Sequence, residues 1–272
     1  MTTSIHTNAS ALVALQNLNR TSDQLAATQS RVNTGLKVQG AKDNAAVWAV
    51  AQAQRADKGS LESVTTSLNR ATSIADVSLA AGEQISDILV ELKQKATAAA
   101  DPSATAATRA SYNAEFQSLI ASIDSFAKNA IFDGANILDG TAAAPLDFLA
   151  SADGAETISL DPQDLSAAGL GLDTLDLETD AAAALTAVTQ AITDSSARLA
   201  DLGAQAKQIE RHTVFVSKLS DSLETGIGNL VDADLAKESA RLQALQVQQQ
   251  LGVQALSIAN QAPQVILSLF QG

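Results

Sequence analysis

His6 and His212 are the only imidazoles in this chain of 272 residues. General acid–base chemistry near neutral pH would fall to them first. Neither has a Ser nucleophile or a cluster of metal-ligating residues in its sequence neighbourhood, and His212 reads as a residue at the edge of a helix. A metal would look to Asp232, Asp234 and Glu238, but acids at the start of a helix are favoured by its caps and dipole. Asp153, Glu156, Asp161 and Asp164 do not follow the spacing of a calcium-binding EF-hand loop. Gly134, Gly140, Gly169 and Gly171 are scattered among turn residues and make no phosphate loop. Cysteine is absent, which removes disulfides, Cys-based zinc sites and thiol catalysis together. Trp48, inside the apolar run Ala45–Val50, reads as packing in preference to a binding anchor. With no convergent nucleophile, base and orienter, the expectation is a protein that is not an enzyme and uses no cofactor or metal.

The elements that would have to position any site are helices with long apolar seams. Near the N-terminus Ala11, Leu15, Leu18, Ser22, Leu25, Gln29, Val32 and Leu36 step by alternating fours and threes. Near the C-terminus Leu235, Glu238, Leu242, Leu245, Gln249, Gly252, Leu256, Ala259, Pro263, Ile266 and Phe270 do so less cleanly. Such a seam is one apolar stripe on a helix, and it needs a partner helix to cover it. A second seam runs from Leu61 through Leu68, Ala75, Gly82 and Leu89 to Ala99, and Asp101-Pro102 ends it. A third uses Tyr112, Phe116, Leu119, Ile123, Phe126 and Ala130. The fourth runs from Leu185 to Leu230; if fully helical it extends about 69 Å at 1.5 Å per residue. Gly35 to Asn44 breaks the pattern near one end. Val231 to Asp234 breaks it near the other, where the final seam restarts one residue out of phase.

The predicted fold is therefore mainly α: a long antiparallel coiled-coil-like bundle with paired terminal helices and a small central β-hairpin region. Residues 1–36 and 235–272 form a terminal coiled-coil unit. Residues 45–131 and 181–230 form an inner helical unit, with connectors at 37–44 and 231–234. Residues 132–180 are the surface-exposed β-hairpin and loop region, where Asp153-Gly154 between short apolar runs signals a hairpin.

The net charge of −13 is uneven. From Asn129 to Ala197 there are twelve acids and no Lys or Arg, leaving eighteen acids against seventeen bases elsewhere. The ends are free to pack on copies of themselves, and the middle repels copies of itself. No basic patch invites nucleic acid. No stretch of 18 apolar residues would span a membrane. The polar start, Met1 to Ser10, lacks the apolar segment of a signal peptide, so export would use a route without a cleaved signal.

Several runs resemble bacterial flagellin. At the N-terminus these are Thr7-Asn8-Ala9-Ser10-Ala11-Leu12, Arg31-Val32-Asn33-Thr34-Gly35-Leu36 and Ala41-Lys42-Asp43-Asn44-Ala45-Ala46. Phe132-Asp133-Gly134-Ala135-Asn136-Ile137-Leu138-Asp139-Gly140 is similar to the family's turn into its β-region. Asn229-Leu230-Val231-Asp232-Ala233-Asp234-Leu235-Ala236-Lys237-Glu238 and Leu256-Ser257-Ile258-Ala259-Asn260-Gln261 complete the likeness, and the short centre is similar to the compact flagellins of alphaproteobacteria.

The resemblance implies an extracellular subunit of the flagellar filament, a homo-polymer that supports swimming. It implies export in an unfolded state through the flagellar type III apparatus with an export chaperone, and assembly beneath a cap protein beside other flagellins and hook-associated proteins. Terminal packing would then rest on Leu15, Leu18, Leu25, Val32, Leu235, Leu242, Leu245, Leu256, Ile266 and Phe270. The family's innate immune receptor motif falls on Leu89–Ala96, where Glu91 and Lys95 replace the usual Arg and Leu. Thr141, Ser151, Thr157, Ser159, Ser166, Thr174 and Thr179 are candidates for the O-glycosylation found on similar flagellins. A hook–filament junction protein is the alternative within the same structural class, and an intracellular helical scaffold or chaperone the alternative outside it.

Overall fold

The computed structural model describes residues 7–269, with side chains through Gln261. His6, Phe270 and the side chains of Pro263 and Ile266 lie outside the described residues. The order of elements is α1 (Ala9–Thr34), α2 (Ala45–Ala99), α3 (Ala106–Asn129), β1 (Leu146–Leu149), β2 (Thr157–Leu160), α4 (Leu177–Val231) and α5 (Leu235–Leu269). No helix among the described residues is long and apolar enough to cross a membrane.

The helices begin and end where the local chemistry predicts. Asn8, Asn44, Thr105 and Asp234 each accept a backbone N–H from the first turn of the helix that follows. These side chains satisfy donors that a helix N-terminus leaves open. Gly35 closes α1 at φ 72°, and its N–H donates to Arg31 O at 2.9 Å. This left-handed conformation is natural for glycine. At Asp180 the backbone leaves helical geometry (φ −151°, ψ 84°). Its carboxylate accepts from Ala183 N–H at 2.9 Å, so the continuous part of α4 starts after it.

The chain forms two compact units, residues 1–55 with 223–272 and residues 56–222. In the inner unit the α2 seam is buried at all twelve positions, from Leu61 through Ser78 and Gly82 to Ala99. Also buried in this unit are Phe116, Ile120, Ile123 and Ala127 of α3, and Val188, Ser195, Leu202, Ile209 and Val216 of α4. Each large apolar side chain so buried contributes about 1.5–3 kcal/mol. Gly82 is required by packing, because a Cβ there would lie 2.3 Å from Leu199 Cδ2.

The third seam is corrected by one residue. Ile120 and Ala127 are buried where Leu119 and Phe126 were expected, and Phe126 is 41% exposed. Phe116, Ile123 and Ala130 are buried as expected. Between them the buried residue is the one four positions after Phe116 and Ile123, where the expected seam used the one three positions after, since both lie on the same helix face.

The central region holds one antiparallel hairpin, in register Leu146↔Leu160 to Leu149↔Thr157. Gly154 turns it at φ 70°, and Asp153 accepts from Ser151 Oγ and from Ala155 N–H. These bonds hold the Asp153 carboxyl below its ordinary range. Side chains of the long helices tie the rest of the region down. Gln205 donates to Asp161 Oδ2 at 2.7 Å and accepts from Asp161 N–H at 2.9 Å. Arg198 donates to Asp164 O and Gly169 O, and Asp124 accepts from Ala167 N–H at 2.9 Å. At the end of α3, Phe132 and Ala135 exchange backbone hydrogen bonds around Asp133 and Gly134, both at positive φ, and Asn136 Nδ2 donates to Ala127 O.

The corrected α3 face predicts unequal mutational costs. Ile123→Ala removes a fully buried side chain and should lower stability by about 3 kcal/mol, whereas Phe126→Ala should cost about 1 kcal/mol or less. Thermal and urea unfolding of the two variants measures the difference; equal losses would restore the unshifted seam.

Candidate assembly surface

The chemistry-bearing residues do not converge. His212 Nε2 lies 2.7 Å from Ala150 O and its ring is 5.7 Å from that of Phe215, so it braces the hairpin against α4. Asp234 caps α5 through Ala236 and Lys237 N–H, Glu238 pairs with Arg31 at 3.6 Å, and Asp232 is exposed. Asp153, Asp161 and Asp164 serve turns and loop anchors. Among the described residues no group of three or more His, Cys, Asp or Glu could hold a metal. Trp48 is half-buried on the cluster of Val38, Ala51, Ile227 and Val231, with Leu36, Val47 and Leu230 beside it.

The surface left to explain is that of the terminal helices. Asn8 Nδ2 donates to Ala259 O at 2.7 Å, Gln249 Nε2 to Ser22 Oγ at 3.5 Å, and Arg31 meets Glu238. These partners run in opposite directions along the chain, so α1 and α5 pair antiparallel. Leu25, Thr28 and Leu245 are buried between them, and Leu18, Val32, Leu242 and Leu256 are half-buried. Gly252 lets Leu18 approach, since a Cβ there would meet Leu18 Cδ1 at 3.2 Å. The connectors join the pair at one end. Lys37 and Val38 N–H both donate to Val231 O, Ala233 N–H donates to Gly35 O at 2.8 Å, and Leu36 bridges Asp232. The two breaks in the seams thus lie side by side.

A helix pair covers one stripe on each member and no more. Two of the expected packing residues, Leu15 and Leu235, remain exposed. A further set was not singled out in the sequence. On α5, Val247, Leu251 (58% exposed) and Ile258 (68% exposed) step by four and seven, which places them on one face opposite Leu245 and Gly252. On α1, Leu12 and Val13 are also exposed, away from the seam. The spacing of Val247, Leu251 and Ile258 is the signal that could have found this stripe; the intervening Gln254 obscures it. Large apolar side chains exposed on one helix face in this way mark a contact surface.

Comparison with known proteins agrees with that reading. Residues 5–143 match the family model for the bacterial flagellin N-terminal helical region, and residues 185–270 match the bacterial flagellin C-terminal helical region. The chain belongs to the bacterial flagellin family. It is 48% identical to flagellin FljJ of Caulobacter vibrioides over 280 residues, covering the whole of both chains. It is 38% identical to a flagellin of Brucella melitensis, with 99% of each covered. A crystal structure of Bacillus cereus flagellin aligns with 54% of this chain and 85% of its own, at 24% identity and a TM-score of 0.48. As a flagellin the protein is a structural subunit of the flagellar filament and not an enzyme, and it assembles into a polymer with other flagellins.

The remaining expected residues divide by environment. Glu91 is exposed on α2. Lys95 pairs with Glu115 of α3 and lies 6.0 Å from the ring centre of Tyr112. That bond to Glu115 raises the Lys95 pKa. Thr141, Thr157, Ser159, Thr174 and Thr179 are exposed and Ser151 is half-buried. Ser166 is not exposed as expected: it is buried, and its hydroxyl donates to Asp164 Oδ1 at 2.6 Å because the loop there folds into a carboxylate-capped turn.

Replacing Val247 and Leu251 together by Lys should abolish seeded filament growth seen by electron microscopy, because each charge would be buried unpaired in a subunit contact. The helix content of the free subunit should stay unchanged, since neither side chain belongs to the α1–α5 seam. Filaments at the normal yield would exclude this face from the contact.

Proposed function

We propose that this chain is the main filament subunit. In this reading it leaves the cell unfolded through the flagellar type III apparatus with a dedicated chaperone, without a cleaved signal, and is placed beneath a cap protein. Residues 1–36 and 235–272 form the filament core, residues 45–131 and 181–230 the surrounding wall, and residues 132–180 the outward face. Leu15, Leu18, Leu25, Val32, Leu235, Leu242, Leu245 and Leu256 carry the terminal packing.

The observation that carries the reading is the exposed apolar surface of the terminal helix pair: Val247, Leu251 and Ile258 on one face of α5, with Leu12 and Val13 exposed on α1. One protomer leaves it uncovered, and neighbouring copies are the partners a polymer supplies. The acidic centre supports an outward position, because its like charges oppose close packing against itself.

Deletion of Thr2 to Arg31 tests the core assignment. It removes most of α1, so filament formation should be lost while the inner unit keeps its cooperative thermal transition. Filaments assembled from the deleted chain would sink the assignment.

The substituted receptor motif adds a second test. Glu91 places a negative charge, and Lys95 a polar group engaged with Glu115, at a surface where the family presents Arg and Leu. A charge reversal at a contact disfavours the partner built for the opposite sign. Purified free subunit should give little or no signal in a receptor reporter assay; strong activation would contradict this.

A further inference from the structure

Two helices of the inner unit turn opposite charges outward. On α2, Glu83, Asp87 and Glu91 are exposed and step by fours, with Val90 exposed beside them. Asp76 and Glu62 extend the same line, which lies opposite the buried Ile85, Leu89 and Leu92. The one base between Glu62 and Glu91 is Arg70, which stands off the line and pairs with Asp133 at 2.8 Å.

On α4, Lys207, Arg211 and Lys218 share a face with Val214 and Phe215 (56% exposed), opposite the buried Ile209 and Val216. Glu210 is the one acid between Lys207 and Lys218. Among the described residues, Glu83, Asp87, Lys207, Arg211 and Lys218 form no ion pair within the chain. The α2 line lies opposite the buried seam of its helix, and on the α4 line Arg211 and Phe215 border a groove shared with Glu156 and Ile158 of the hairpin. Among the described residues no ion pair joins the two lines within one copy. An exposed aromatic flanked by unpaired bases, and an acidic line with an exposed Val, are complementary in charge and in apolar content.

We propose that the α4 line of one copy docks on the α2 line of a neighbouring copy, Lys207, Arg211 and Lys218 meeting Glu83, Asp87 and Glu91 while Phe215 and Val214 cover Val90. This rests on the filament reading and assigns it a second contact, separate from the terminal helices. The two surfaces differ, so the contact is head-to-tail. It leaves an open acceptor after each addition, the kind of interface that propagates along a helical assembly. Exposed ion pairs are individually weak and screened by salt. The contact therefore tunes assembly, and the apolar terminal faces drive it.

Charge reversal on each line, singly and together, tests the pairing in seeded polymerisation of the full chain. R211E/K218E should raise the critical concentration about tenfold, as should D87K/E91K, because attraction becomes repulsion at two pairs. The four substitutions combined should restore it to within about threefold, since opposite signs again face each other. The defect of each single-sided variant should shrink in about 1 M salt. Circular dichroism confirms that each variant subunit is folded. Unchanged polymerisation of either single-sided variant overturns the proposal. So does a combined variant no better than its parents, which would mean that the α4 line meets some other surface. If the unaltered chain fails to extend seeds, the filament reading itself falls, an outcome distinct from both.

Discussion

An apolar stripe on a helix has to be covered, and most of this molecule follows from where the covers come from. In the inner unit they come from within the chain: α2 presents an unbroken buried seam, and α3 and α4 bury a face each in the same unit. In the terminal unit α1 and α5 cover one stripe of each other, and little of that pair is fully buried. A two-helix pair of this kind is marginal in water, because helices gain most of their stability from packing. The same shortage of internal partners makes the terminal helices receptive to other copies.

The absence of catalytic machinery has a structural counterpart. Polar side chains of the kinds that form sites in other proteins fix geometry here. Asp161, Asp164, Gln205 and Arg198 fix a long loop to the helices, His212 braces the hairpin, and Asn136 closes the end of α3. The acidic centre is therefore an ordered surface, although its composition reads as loop. Its anchors are hydrogen bonds to helices distant in sequence, such as Gln117 to Leu175 O at 2.7 Å.

Those long-range anchors explain what the sequence could and could not disclose. Periodicity exposes whatever repeats, so the α2 seam was legible at every position from Leu61 to Ala99, and the offset at Val231 marked the end of α4. Asp153-Gly154 located the hairpin turn because only a few residue types accept that backbone. The α3 face slipped because Ala127 and Phe126 compete for the same turn, and size alone argues for the wrong one. Ser166 reads as an exposed hydroxyl until Asp164 is placed beside it. The second stripe of α5 was hidden by the polar residues between its members. Its residues are apolar but exposed, and an Ala- and Gln-rich helix permits more than one stripe.

The regularity of the α2 seam has a mechanical consequence. A straight α-helix drifts by about 20° per heptad against a strict 3.5-residue repeat. The seam nevertheless stays buried over its whole length, from Leu61 to Ala99. The inner bundle must therefore wind left-handed around itself. A wound bundle takes up torsion by a slight change of pitch shared over dozens of residues, with no hinge and no broken hydrogen bond.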